Sequence, residues 1–382
     1  MMNRRQALFA AVALSLTAHD ALARAPQPRT RWKVRTSEGF DALCFLGPLS
    51  GKPFYADYYR EELAAFLPGM SQEAMAALAS LYEEADRQKA LLGPNLCTYL
   101  SGGPDATLDQ LIDALEQAET VIKPPLDASP YALNAEEWRA FMAQQPRVLI
   151  VLKAMRDAGF GAFRRKYVDE RAARRVPALG ARLAGTDVIT EQERLLGRRF
   201  ADPSLEVILL YFSKPHGIKI QGQRFLTHLD YPDEAVIRNA AHEMLHPPFP
   251  MDGPLAKSVM ATMNRDPLLT RVLAEHDPAF GYNSMEGILN EDTVQALEQI
   301  VSERLGVAKP AGERWRASDD GMHLFAAALY GMLKADGYDR TGGNIETWMD
   351  KALAAGRLSP KSIAGSASKV LDLPADQLWK KA

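Results

Sequence analysis

The chain of 382 residues has two cysteines, seven histidines and no strong excess of charge. Cys44 and Cys97 do not make a metal site by themselves. In an oxidising compartment they can form one disulfide, and two buried free thiols are the alternative. The net charge is −3, from 45 basic and 48 acidic residues. We therefore expect no nucleic-acid partner, because a near-neutral chain lacks the basic surface that nucleic acid requires.

Long apolar runs are also missing after the first 23 residues. The longest, such as residues 148–152 and 207–212, have the length of core segments, so no stable membrane anchor is predicted. The composition is 47% hydrophobic, 24% charged and 8% aromatic, which is ordinary for a globular protein. It excludes collagen, low-complexity disorder and coiled coil.

The first residues have the pattern of an export signal. A basic start is followed by the apolar stretch at residues 7–18 and by the small-x-small sequence at residues 21–23. Residues 1–23 are therefore predicted to be a cleaved signal peptide, and the mature chain to be periplasmic or secreted. Residues 3–9 are also similar to the twin-arginine signal. A general secretory signal with two adjacent arginines is the alternative.

The pattern of the mature chain is mainly helical, with a few short strands. Residues 24–200 are expected to form a helical N-terminal region, apart from strand-like pieces in residues 32–49, where residues 43–46 are apolar. Residues 205–212, 217–220 and 224–230 read as a small hairpin or meander with a turn at Gly222. These strands open the second predicted region, residues 201–382, in which helices follow to the end. The predicted class is mainly α with a small β-sheet (α+β).

The segment that carries chemistry is His242-Glu243-Met244-Leu245-His246, an HExxH motif. It is predicted to lie on a helix that begins at Pro232 and ends near His246, because Pro247-Pro248 cannot continue a helix. Residues four apart lie on one helical face, so the two imidazoles can bind one Zn²⁺. Glu243 can then reach a zinc-activated water without being a ligand, and act as the general base. Two surface histidines on an ordinary helix are the alternative.

The segment Gly287-Ile-Leu-Asn-Glu-Asp-Thr-Val294 resembles the Asn-Glu segment of the gluzincins, the thermolysin-like branch of the zincin metallopeptidases. The resemblance covers about residues 205–305 and implies a zincin-like catalytic core, with Glu291 as third zinc ligand. Glu286 and Glu298 are the alternatives. This sequence has Gln295 where the family often has an Asp that orients a ligand His, so only a neutral partner is available there. The long interval after His246 implies an insertion of one or two helices.

The same resemblance implies a Tyr or His that stabilises the developing oxyanion. His323 and Tyr330 are expected on one face of one helix, and Tyr282 comes just before the helix of Glu291. Each can equally be a packing residue. His228 is a candidate for substrate contact, although a surface or packing role is the alternative for it and for His216.

These features predict an exported, zinc-dependent metallohydrolase, a peptidase whose substrate is a peptide or another amide. The edge strand before the motif helix is expected to hold an extended peptide by main-chain pairing. Two alternatives remain open at this stage. One is a zinc-binding or structural protein without turnover, and the other is an amidase that acts on a non-protein amide, for example in the cell wall.

Overall fold

A computed structural model describes residues 27–379, and the predicted signal peptide lies outside the described residues. One four-stranded sheet lies between two helical layers. The predicted class, mainly α with a small β-sheet, is confirmed.

The sheet has the strand order β1-β2-β4-β3. Its strands are β1 (Arg31–Thr36), β2 (Ser204–Leu210), β3 (Ile218–Ile220) and β4 (Arg224–His228). β2 pairs in parallel with both β1 and β4, and β3 and β4 form an antiparallel hairpin. Gly222 lies in the hairpin turn with φ +73°, a conformation that favours glycine, so the predicted turn is confirmed.

Alternate residues of the strands face the two helical layers. In β2, Leu205, Val207 and Leu209 belong to one buried cluster, while Ile208 and Leu210 belong to the other. This is the period of two that a strand imposes on its side chains. Because both faces of the sheet are covered, β2 reads as a nearly continuous apolar run.

One layer, called here the N-terminal layer, is formed by residues 38–163. Its helices are α1 (Glu38–Leu49), α2 (Pro53–Ala56), α3 (Arg60–Phe66), α4 (Gln72–Arg87), α5 (Leu92–Leu100), α6 (Leu108–Glu116), α7 (Ala118–Val121), α8 (Lys123–Asp127), α9 (Ala135–Asp157) and the first turn of α10 (Phe160–Leu183). The strand-like reading of residues 43–46 is wrong, because they lie in α1. All of residues 39–49 are buried, so the segment has no polar face that would show a helical period.

The other layer, the C-terminal layer, begins with the end of α10. It continues with α11 (Val188–Leu196), α12 (Asp233–Glu243), α13 (Pro254–Met263), α14 (Pro267–Glu275), α15 (Met285–Arg304), α16 (Ala311–Ala317), α17 (Leu324–Ala335), α18 (Tyr338–Thr341), α19 (Ile345–Ala354) and α20 (Pro360–Leu371). Short 3₁₀ turns lie at Leu67–Gly69, Pro278–Phe280, Ser318–Gly321 and Ala375–Gln377.

A buried ion pair joins the N-terminal layer to the sheet. The Arg164 Nε atom donates to the Asp41 carboxylate at 2.6 Å. Asp41 also accepts from the backbone N–H groups of Tyr211 (2.7 Å) and Phe212 (3.0 Å), which follow β2. The Asp41 side chain has no solvent exposure and that of Arg164 only 7%. A pair so deeply buried must be complete, because either partner alone would be an uncompensated charge.

The two cysteines are buried free thiols whose Sγ atoms lie 4.0 Å apart. Of the two alternatives read from the sequence, the structure therefore has the thiols. In residues 27–379 no helix has both the length and the apolar character needed to cross a bilayer.

Candidate metal centre

The motif helix α12 is shorter than the sequence predicted. It spans Asp233–Glu243 with Pro232 as its N-terminal cap residue, so His242 and Glu243 are helical and His246 lies beyond the end. The physical reason is Pro247, because the ring of a proline disfavours the helical conformation in the residue before it.

The structure nevertheless brings the two motif histidines and Glu291 together. The Nε2 atoms of His242 and His246 are 3.1 Å apart. The Glu291 carboxylate lies with one oxygen 3.5 Å from His242 Nε2 and the other 3.5 Å from His246 Nε2. α12 packs against α15, which carries Glu291. Residues that are distant in sequence thus present three donor atoms to one point.

These distances suit a tetrahedral ion. With metal–donor bonds of about 2.0–2.1 Å, the donors of a tetrahedral zinc site lie roughly 3.3 Å apart. The three observed separations, 3.1, 3.5 and 3.5 Å, lie close to that value. Two imidazoles and one carboxylate are also a ligand set that catalytic zinc sites use, with a fourth position open to water. The residues present therefore fit the ion.

The charges of the three groups are strongly coupled. Burial raises the pKa of the Glu291 carboxyl, but His242 and His246 outweigh it and bring that pKa well below its usual value. For His242, burial lowers the pKa, and Glu291 reverses the effect, raising it to about 9. Burial and the neighbouring His242 lower the pKa of His246 to about 4. Without a metal, the Glu291 carboxylate therefore favours the protonated form of His242.

Two neighbours orient these side chains. The Asn290 Oδ1 atom lies 3.2 Å from His246 Nδ1. With a proton on Nδ1, His246 presents the lone pair of Nε2 to the ion position. Gln295 Nε2 donates to the Glu291 carboxylate at 2.9 Å, and its Oε1 accepts from Trp315 Nε1 at 2.8 Å. From the sequence, Gln295 was expected to orient a ligand histidine. In the structure, Gln295 instead donates to Glu291, and the residue that contacts the histidine is Asn290.

Glu243 is buried beside the three donors. Its carboxylate accepts a hydrogen bond from the backbone N–H of Lys219, and burial raises its pKa. Gly217 lies so close that a Cβ atom there would be 3.3 Å from Glu243 Oε1. Glu243 contacts neither imidazole nor Glu291 by a hydrogen bond recorded among residues 27–379. A raised pKa makes a carboxylate a stronger proton acceptor, which suits a general base.

The two alternative ligands are placed elsewhere. Glu286 is exposed in the first turn of α15. Glu298 is buried, and it is paired with Arg314 and accepts a hydrogen bond from Ser302. Glu291 is therefore the carboxylate that the fold brings to the two histidines.

No protein-family model, curated protein or solved structure matches this chain. The likeness to the zincins thus depends on the residues of the motif and of the Glu291 segment alone. Any function assigned to the site must therefore be argued from its geometry and not from similarity to known proteins.

The structure does not bring His323 or Tyr330 to the candidate metal centre. α17 begins at Leu324 with His323 as its N-terminal cap residue, so of the two only Tyr330 lies within the helix. Both ring nitrogens of His323 are engaged at 2.7 Å, by Asp292 and by Asp319, so neither N–H remains for a substrate oxygen. The Tyr330 hydroxyl donates to Glu303 instead.

Tyr282, the third candidate, is at the site. It lies beside the Glu291 carboxylate, and burial together with the charge of that carboxylate raises the pKa of the Tyr282 hydroxyl. Its ring centroid lies 5.5 Å from that of His323. The buried cluster of Asp292, His323 and Asp319 behind it was missed by the sequence reading. Burial lowers the pKa of His323, but Asp292 and Asp319 outweigh it and raise that pKa to about 10. The sequence did contain a sign of this cluster. Asp292 places a second carboxylate next to Glu291 in a helix that is mostly buried, and a buried carboxylate needs a partner.

The donors open into a cleft of about 620 Å³. Of the three candidate ligands, His242 and Glu291 line it. Aromatic side chains from both layers and three basic side chains do so as well, among them Phe54, Tyr58, Phe280, Tyr282, Arg238, Lys309 and Arg314. His216 also faces this cleft, whereas His228 is a buried packing residue, 1% exposed, whose Nδ1 accepts from the backbone of Asp230. A small molecule or a chain segment can therefore reach the donors from solvent.

The strand before the motif helix cannot hold a substrate by main-chain pairing. β4 lies between β2 and β3, so it has no free edge. The edge strands are β1 and β3, and at β3, the edge next to β4, the backbone of the central residue faces other groups of the protein. Lys219 C=O accepts from the Thr98 hydroxyl at 3.0 Å, and its N–H faces Glu243. The expectation of an edge strand before the helix is therefore corrected.

Proposed function

We propose that this chain is a zinc-dependent hydrolase of amide bonds, with a peptide as substrate. The observation that supports it best is the triangle of His242, His246 and Glu291, whose donor atoms lie 3.1–3.5 Å apart at an open cleft. Export to the periplasm or outside the cell belongs to the proposal too, on the pattern of residues 1–23.

The residues have separate tasks in the proposed reaction. Zinc, when bound, would polarise the amide carbonyl and lower the pKa of a coordinated water to about 7. Glu243 takes the proton from the attacking water and passes it to the leaving nitrogen, which needs a carboxylate held close without being a ligand. Gln295 holds Glu291, and Asn290 holds His246.

A Glu243→Gln variant tests the reaction. Glutamine has the size of glutamate and cannot take the proton, so the variant should keep about one zinc per chain and lose peptide hydrolysis at least 100-fold. The wild-type protein and the variant are compared on a pool of peptides with products identified by mass spectrometry. If both hold zinc and neither hydrolyses a peptide or a cell-wall amide, the site is a binding site and the proposed reaction is wrong.

A further inference from the structure

Two large apolar side chains are exposed at the rim of the cleft. Across residues 27–379, the large hydrophobic residues that are exposed are Phe54 (39%), Tyr58 (52%) and Leu67 (39%). Phe54 and Tyr58 both line the cleft of the candidate metal centre, whereas Leu67 lies outside it. Exposed aromatic surface beside a concave site is a common mark of binding.

Phe54 is held firmly at this rim. Its ring packs edge-on against Tyr55, with centroids 4.9 Å apart, and lies 5.8 Å from the ring of His216. His216 Nε2 is in turn 3.3 Å from the Tyr55 hydroxyl. Burial lowers the pKa of His216 to about 4, so this part of the rim is uncharged at neutral pH. The aromatic surface is thus both ordered and apolar.

The apolar surface continues beyond Phe54. This ring also lines a second cleft, of about 530 Å³, which Pro53, Tyr55, Leu91 and Leu92 line as well. Phe54 therefore lies between the two clefts. A substrate that extends away from the donors along this side would meet apolar surface.

Of the three basic side chains of the cleft, one is neutralised within the protein. Arg314 is paired with Glu298 and donates to Gln299. Arg238 donates to the backbone carbonyl of Val307 at 2.7 Å, and Lys309 is exposed. Phe54 and Tyr58 add exposed aromatic faces, which a substrate side chain can cover.

We propose that Phe54 and Tyr58 form a subsite for an aromatic or branched aliphatic side chain of the substrate, next to the amide held at the candidate metal centre. The inference depends on the proposed function and names the substrate class for that site. The contact would remove apolar area of both partners from water, and an aromatic ring would gain further from the edge or face of Phe54.

Two matched peptides and two matched variants test the subsite. The peptides are blocked glycine–alanine decapeptides that differ only in one central residue, Phe or Ala. The variants of the chain from residue 24 onward are Phe54→Ala and, as control, Leu67→Ala, which removes a side chain of equal exposure away from the cleft. Phe54→Ala should lower kcat/KM about tenfold for the Phe peptide and less for the Ala peptide, while Leu67→Ala changes neither.

A binding measurement separates the subsite from the reaction. In the Glu243→Gln background, calorimetry should show tighter binding of the Phe peptide than of the Ala peptide, and Phe54→Ala should remove the difference. Hydrolysis of both peptides at equal rates in all variants would overturn the subsite and leave the proposed function standing. A zinc-loaded wild-type protein that hydrolyses other peptides of the pool but neither hydrolyses nor binds the Phe peptide would also overturn the subsite alone. Failure to hydrolyse any peptide of the pool would overturn the proposed function, and the subsite with it.

Discussion

Replacement of Gln295 by leucine should weaken zinc binding without removing a ligand. Gln295 gives the Glu291 carboxylate a hydrogen bond of 2.9 Å and is itself held by Trp315. Hydrogen bonds to charged groups are worth about 1.5–3 kcal/mol, and a change of 1.4 kcal/mol is about tenfold in affinity. The loss of this bond should therefore raise the zinc Kd about 10–100-fold, as for other groups that orient metal ligands.

The same helix offers a matched control. Gln299 is also buried on α15, and it donates to the Lys309 carbonyl at 2.8 Å and accepts from Arg314 at 3.0 Å. Gln299→Leu should also lower stability, because it removes the hydrogen bonds that this side chain makes with Lys309 and Arg314. Its zinc Kd should stay within about twofold of wild type. Competition against a chromogenic chelator gives both values. Equal zinc affinities for the two variants, whether reduced or unchanged, would refute the role given to Gln295.

Three other predictions address the ligand, the core and pH. At about 1 μM free zinc, Glu291→Ala should hold less than about half the zinc of the wild-type protein. Glu286→Ala, at an exposed position of the same helix, should hold as much zinc as wild type. The reverse pattern in elemental analysis would show that Glu291 is not the third ligand. Arg164→Met should lower the free energy of unfolding in urea by about 3–5 kcal/mol, because it leaves Asp41 buried without its partner. Arg174→Ala, in an exposed pair with Glu170, should cost less than about 0.5 kcal/mol, and equal losses would contradict the account. Burial lowers the pKa of His228 from 6.5 to about 4. Between about pH 4 and pH 6.5 the unfolded chain therefore binds more protons than the folded chain, and stability falls as the pH falls. This group should contribute a slope of up to about 1.4 kcal/mol per pH unit, which His228→Asn removes from urea midpoints measured across that window.

The sequence was most informative where chemistry constrains spacing. The motif fixed His242, Glu243 and His246, and the likeness of one segment to the gluzincins pointed to Glu291, which the fold brings to both histidines. The end of the helix was placed too late, although Pro247 carried the information. Its effect on the preceding residue excludes His246 from the helix, which ends at Glu243.

Long-range placement was not readable from local pattern. His323 and Tyr330 were put on one face of one helix, but α17 begins at Leu324, so only Tyr330 lies within it. The segment at residues 43–46 was taken for strand because a helix buried on every side has no amphipathic period. The pairing of β1 with β2 joins residues far apart in sequence, and no local signal specifies it. Asn290 acquired its role only through the packing of α12 on α15.

Metal content of the chain from residue 24 onward, without the predicted signal peptide, tests the central claim most directly. Elemental analysis of the protein after loading with zinc and removal of excess should give about one zinc per chain for wild type. His242→Ala and His246→Ala should each fall to near zero while circular dichroism shows an intact fold. No zinc in the wild-type protein, or full zinc in either histidine variant, would contradict the account.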